Sequence, residues 1–194
     1  MTRTATRQQL IDTGREIIAQ QGFGTTGINA VLSNAGVPKG SFYYYFKSKE
    51  DFGLAVIDAS AQSYAERLAG FLTDTEQPPL QRIRNYLEDG LSNMSDDCCS
   101  CGCLIGNLGQ ELSGHNEVFR QRLNAVFQSW EQQFSRCLGE ARCRGDISAD
   151  SDPDQLAQML LIGWEGAILR AKVTKSTEPM QVFISVLFDR LLNC

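Results

Sequence analysis

Apolar residues in this chain recur three and four positions apart from end to end, and nowhere do they alternate with polar ones as a half-buried strand requires. A 3.6-residue period lines such positions up along one face of a helix, so the chain is expected to be all-α. Stop and start signals cut the pattern into pieces. Thr6-x-x-Gln9 has the spacing of a capping box, and Leu10, Ile11, Ile17 and Ile18 mark the inner face of a first helix ending before Gly22. Thr26 is placed to cap a short second helix with Ile28, Val31, Leu32 and Ala35 inward, stopped by Gly36. A third opens at Val37-Pro38 with Phe42, Tyr45 and Phe46 inward, and Ser48-x-x-Asp51 caps a long fourth helix through about Leu72. Five more are expected over about 80–94, 104–112, 117–141, 153–174 and 179–192, the last two with proline at the first helical position.

Charge divides the chain at the same place as this pattern. Residues 1–50 carry six basic against three acidic side chains, a net of +3, whereas the remainder carries twelve against twenty, a net of −8. A basic module on an acidic body attracts phosphate locally while the body discourages indiscriminate coating of nucleic acid. No stretch approaches the roughly 18–20 apolar residues of a membrane span, and the opening residues lack the apolar core of a secretory signal, so a cytoplasmic location is expected. The expected organisation is a basic three-helix module over 1–50 and a larger, acidic helical domain over 51–194.

The third helix has an unusual outer face. With Phe42, Tyr45 and Phe46 inward, it presents Lys39, Gly40, Ser41, Tyr43 and Tyr44 outward, with Lys47 and Lys49 just beyond. Exposed paired tyrosines suit a surface that meets DNA, where the hydroxyl bonds phosphate and the ring edge meets a thymine methyl. Gly40 leaves room for close backbone approach. Two short helices joined by a tight turn, the second facing outward, make a helix-turn-helix.

The segment GFGTTGINAVLSNAGVPKGSFYYYFKSKEDF, residues 22–52, resembles the DNA-binding domain of TetR-family repressors. Its likeness lies in the glycine-aromatic end of the first helix, the threonine that follows, the alanine-glycine-valine turn, the lysine-glycine-serine start of the third helix and the Tyr-x-Tyr-Phe-Lys-x-Lys-Glu run. Tyr44 stands where histidine is frequent. The resemblance implies that Thr26, Tyr44 and Lys49 contact phosphate, and that Asn29, Lys39, Gly40, Ser41 and Tyr43 lie nearest base edges, with Lys47 serving either purpose. Arg3 and Arg7 are candidates for a phosphate-seeking arm, against the plainer reading of a solvated terminus. One reading helix spans only a few base pairs, so a homodimer on a roughly palindromic operator is expected.

In the body, Leu156, Met159, Leu160, Gly163, Trp164, Ala167, Ile168 and Ala171 form one apolar stripe, and Phe183, Ile184, Leu187, Phe188, Leu191 and Leu192 another. The resemblance implies that these two helices pair with their symmetry mates, small residues allowing close approach, while part of each stripe serves the chain's own core. It also implies a small-molecule effector, for which Tyr64, Tyr86, Phe127, Trp130 and Trp164 are candidate wall residues; aromatic side chains at helical spacing equally serve as core.

Seven cysteines are many for 194 residues, and Cys98, Cys99, Cys101 and Cys103 crowd into one run. In a reducing compartment they stay thiols. The stretch Gly102-Cys103-Leu104, with Ala171-Lys172, is similar to the TetR branch that includes electrophile-responsive regulators of detoxifying reductases. A thiol at a helix start beside an ammonium favours its thiolate, which makes Cys103 and Lys172 a candidate sensor. Two other readings stand beside it: Cys103 as a buried small hydrophobe starting the Leu104, Leu108, Leu112 face, and the run as soft ligands for zinc or copper(I), a role poorly suited to adjacent and alternate cysteines with His115 the single histidine. The preferred reading is a non-enzymatic repressor, with no catalytic residue, cofactor or metal site, released by a small molecule or by cysteine modification. A thiol redox or metal-handling protein is the alternative.

Overall fold

The computed structural model describes residues 3–96 and 99–192. Cys98, Cys194 and the side chain of Arg3, all named above, lie outside the described residues. Nine α-helices are present among those described: α1 Arg3–Gln21, α2 Ile28–Asn34, α3 Phe42–Tyr45, α4 Lys49–Leu72, α5 Pro79–Asp96, α6 Leu104–Leu112, α7 Glu117–Arg144, α8 Pro153–Thr174 and α9 Glu178–Val186. No strand occurs among the described residues. A 3-10 turn, Lys39–Ser41, precedes α3, and a π-helical turn, Leu187–Leu191, follows α9.

Compactness groups these helices into two units, residues 1–63 with 103–124, and residues 64–102 with 125–194. The first is built on aromatic packing. Phe42, Phe46 and Phe52 are buried with ring centroids 5.0–5.6 Å apart, and Leu10, Ile11 and Ile18 of α1 and Val31 and Leu32 of α2 are buried in the same unit. Each such ring removed from water contributes roughly 1.5–3 kcal/mol, so three of them suffice to hold helices too short to stand alone. The second unit packs α8 on α9 and α5 on α9. Its buried side chains include Leu68, Ile83, Leu87, Phe134, Leu138, Leu160, Trp164, Ile184 and Leu187.

Several expected helix ends are built otherwise. α1 begins at Arg3, so Thr6 and Gln9 are interior; Gln9 instead sends its amide to the Ala35 carbonyl, 2.9 Å away. Arg7 is part of α1 and not of an arm, its guanidinium 5.1 Å from the Phe46 ring centroid. The N-cap of α2 is Gly27 and not Thr26. Thr26 is buried, and its hydroxyl donates to the Gly22 carbonyl at 2.6 Å, closing the turn before α2. Tyr45 is half-buried, its ring edge-on to Tyr44, so only Phe42 and Phe46 truly anchor the third element. Pro179 is the second residue of α9, after Glu178.

Other signals act as read. The Ser48 hydroxyl accepts the Asp51 N–H at 3.0 Å, while the Asp51 carboxylate accepts the Lys47 N–H at 2.8 Å. Gly36, at φ +63°, ends α2 and lets the Val37 N–H reach back to the Leu32 carbonyl at 2.9 Å. Asp152 caps α8 by accepting the Asp154 N–H.

Candidate nucleic-acid interface

The reading element is one tight turn and one helical turn, held by two phenylalanines. Phe42 and Phe46 are buried in the first unit, while Tyr43 and Tyr44 between them are turned to solvent. Tyr43 is 71% exposed and Tyr44 61%. Lys39, Gly40, Lys47 and Asn29 are exposed, and Ser41 is half-buried. Solvent therefore reaches these residues of α2, the 3-10 turn, α3 and the segment just after it. Two predicted contacts sit differently. Thr26 is 1% exposed with its hydroxyl proton engaged by Gly22. Lys49 is half-buried, its ammonium donating to the Gly24 carbonyl at 3.1 Å and lying 4.7 Å from the Phe23 ring centroid.

That Gly22–Gly24 turn is held by side chains which no local pattern announces. Glu111 of α6 accepts the Phe23 N–H at 2.9 Å and the Gly24 N–H at 2.6 Å. The Phe23 ring meets Phe119 of α7 edge-on at 5.1 Å. Asn116 accepts the Phe119 N–H at 3.0 Å and donates to Glu50 at 2.7 Å, fixing the start of α7 to the start of α4. Apart from the local Asn116–Phe119 bond, all of these join residues more than sixty apart in sequence, which is why periodicity does not reveal them.

In the second unit, the backbone of the cysteine run is bridged to the end of α8. Lys172 donates to the Cys101 carbonyl and Lys175 to the Cys99 carbonyl, each at 3.3 Å. Cys99 has φ +55° and is buried. Cys103, in the first unit, is the N-cap of α6: its sulfur accepts the Gly106 N–H at 3.4 Å, and the residue is 8% exposed. Among the described residues, no group of three or more His, Cys, Asp or Glu side chains is placed to hold a metal ion.

The aromatic residues of the body divide. Tyr64, Phe127 and Trp130 form one cluster, with centroids 5.6 Å apart across each of the two contacts to Trp130. Tyr86 belongs to another, with Phe71 and Phe134. Trp164 faces Phe183 and lies against Gly90.

A short helix turned outward on a buried phenylalanine pair, preceded by a second short helix and a glycine-closed turn, defines a helix-turn-helix DNA-binding protein. The sequence pattern described as bacterial regulatory proteins, tetR family, matches residues 10–56, and that described as tetracyclin repressor-like, C-terminal domain, matches residues 79–187. The chain belongs to the TetR family of bacterial transcriptional regulators. It is 41% identical over 176 residues to the transcriptional regulator AcuR of Cereibacter sphaeroides, covering 91% of this chain and 80% of that protein. It is 36% identical over 192 residues to the repressor DhaR of Mycobacterium sp. strain GP1, covering 99% and 95%. The crystal structure of reduced NemR from Escherichia coli superimposes with a TM-score of 0.87 at 32% identity, covering 95% of this chain and 97% of that one. The protein is thus an all-helical, DNA-binding transcriptional regulator. No helix among the described residues is long and apolar enough to cross a membrane.

Proposed function

We propose that this protein is a cytoplasmic, non-enzymatic repressor that binds a roughly palindromic operator as a homodimer, through residues 1–50, and is released by an effector acting on residues 51–194. The exposure of Tyr43 and Tyr44 carries the reading. Two adjacent tyrosines turned to solvent beside Lys39 and Lys47 leave an apolar and cationic face that a phosphate-lined major groove complements. Lys39, Gly40, Ser41, Tyr43 and Asn29 are assigned to base edges, and Tyr44, Lys47 and Lys49 to phosphate. Thr26 acts on phosphate through the turn it closes, since its hydroxyl proton is engaged within the chain.

Dimerisation is assigned to α8 and α9. Ile162 is 73% exposed, and Leu169, Val173, Val182 and Val186 are exposed along the same two helices. A groove of about 590 Å³ between them is lined by Gly163, Gly166, Ala167, Val182, Phe183 and Val186 among others. Exposed aliphatic side chains flanked by small residues suit a self-complementary contact about a two-fold axis.

For the effector, Cys103 and Lys172 are the assigned sensor, and the Tyr64, Phe127 and Trp130 cluster the assigned wall of a small-molecule site. NemR and DhaR are both named as repressors. Cys103 sits at an α6 N-terminus, where backbone N–H groups favour a thiolate. The test is a gel shift with the DNA upstream of the protein's own gene. Salt-sensitive retention as two protomers per site, lost on adding N-ethylmaleimide, is expected; equal retention of unrelated DNA ends the reading.

A further inference from the structure

The turn that precedes the helix-turn-helix is an anion-binding cradle, and a side chain from α6 of the same compact unit already occupies it. Gly22 adopts φ +85°, which aims the two following N–H groups, those of Phe23 and Gly24, to one side. Consecutive N–H groups after a left-handed residue form a concavity that takes an anion. Both carboxylate oxygens of Glu111 fill it, at 2.9 and 2.6 Å. The fit leaves no slack: a Cβ built on Gly22 would lie 3.0 Å from Glu111, and one on Gly24 3.1 Å. On the other side of the same turn, the Lys49 ammonium takes the Gly24 carbonyl and covers the Phe23 ring.

Glu111 occupies a particular place in α6. The helix runs only from Leu104 to Leu112, with the Cys103 sulfur capping its first turn and Glu111 next to last. Leu104, Ile105, Leu108 and Leu112 bury its apolar face and hold it in the core of the first unit. The turn at its far end fixes Thr26, whose N–H bonds the Phe23 carbonyl at 3.2 Å and whose hydroxyl bonds the Gly22 carbonyl, directly before α2.

We propose that Glu111 is a positioning residue for operator binding: its carboxylate locks the Gly22–Gly24 turn directly before α2 and so fixes how α2 and the reading helix are presented to DNA. The proposal rests on the DNA-reading assignment above and is independent of the identity of the effector. It explains why a carboxylate, which is repelled by phosphate, is kept close to a DNA-binding element. The two N–H groups neutralise it while its own geometry is spent on the turn. A shift of Glu111 of an ångström or so breaks bonds this short, so the turn keeps this form only while the carboxylate stays in place.

Full-length wild type, Glu111→Ala, Glu111→Gln and the control Arg122→Ala are compared. Arg122 pairs with Asp58 at 3.3 Å in the same compact unit. Each is measured for retention of the upstream DNA fragment and of an unrelated fragment of equal length, for thermal midpoint, and for hydrogen exchange at Phe23 and Gly24. Glu111→Ala is expected to exchange faster at those two amides and to bind the upstream fragment about ten- to hundredfold more weakly, the factor that charge-assisted bonds of this kind confer. Glu111→Gln, which keeps one acceptor oxygen, recovers part of that loss, and Arg122→Ala keeps wild-type affinity. Wild-type affinity in Glu111→Ala, or tighter binding because a repelling charge has gone, overturns the proposal. So does a loss of affinity in Arg122→Ala equal to that in Glu111→Ala, since the effect then tracks stability alone. A wild type that retains both fragments equally sinks the DNA-reading assignment and this proposal with it.

Discussion

Phe42 and Tyr43 are neighbours in sequence with opposite surroundings: Phe42 has no exposed surface, Tyr43 is 71% exposed, and their rings meet edge-on at 5.4 Å. One residue holds the reading helix on the unit and the other is what it holds out. Phe42→Ala empties the centre of a three-ring cluster and is expected to cost about 3–5 kcal/mol. Tyr43→Ala removes a mostly exposed side chain whose ring meets only the edge of Phe42, costs about 1 kcal/mol, and is expected to change the preferred operator. Thermal melts and selection from a randomised operator library separate the two effects. An unchanged sequence preference in Tyr43→Ala removes Tyr43 from the base-reading set.

Lys49 has two duties open to it. Its ammonium has three N–H donors, one of which goes to the Gly24 carbonyl, leaving others for a phosphate at the edge of the groove. Lys49→Ala is expected to weaken binding to every sequence alike and to reduce the slope of log affinity against log salt by about 1. Loss of affinity with the slope intact assigns Lys49 to the turn alone.

Much of the fold was legible because helices in this chain carry their own boundaries. Ser48 and Asp51, Gly36 and Asp152 are local devices, spelled within four residues, and each acts in the structure at the position its spacing names. The solvent face of Tyr43 and Tyr44 was legible for the same reason, since Phe42 and Phe46 fix the phase of the helix between them. Thr26 was misread as the α2 cap because a threonine before a helix has two partners within reach, the N–H groups ahead and the carbonyl behind. The left-handed Gly22 turn brings the carbonyl closer. Glu111, Phe119, Asn116 and Lys175 were not legible at all. Their partners lie 66 to 96 residues away, a spacing that carries no period.

Cys137 behaves as a core residue with a measurable pH signature. Its thiol donates to the Pro79 carbonyl at 3.3 Å, and burial pushes its pKa up from 9.0 to about 12, Arg82 opposing the shift and Glu140 adding to it. A thiol that holds its proton more tightly in the fold than in the unfolded chain contributes stability below pH 9, and loses it as pH rises from 9.0 toward about 12. The stability gap between wild type and Cys137→Ala is therefore expected to narrow over that range in urea melts. At pH 8 a thiol reagent is expected to label exposed Cys143 in the folded protein and to leave Cys137 untouched. Equal labelling of both disproves the assignment of Cys137 to the core.

Cys103 is the sharper case, because its position serves both a core residue and a sensor. At 8% exposed, it caps α6 through its sulfur and begins the buried Leu104 and Leu108 face. A maleimide reacts there by forming one sulfur–carbon bond at the expense of the ring C=C π bond, the neighbouring carbon then taking a proton from water. The bulky group left on the sulfur has no room in a packed site, where even one added methylene is felt, and it removes the acceptor for the Gly106 N–H. Both effects push on the first turn of α6. Cys103→Ser keeps the size and a capping acceptor, and is expected to bind operator as wild type does while ignoring N-ethylmaleimide and hypochlorite. Cys103→Ala, lacking any acceptor, is expected to bind operator with a thermal midpoint lower by a few degrees, the cost of a lost cap at about 1 kcal/mol. Release of Cys103→Ser by the same reagents transfers the switch to another thiol, and an unresponsive wild type leaves Cys103 as a helix cap in the core.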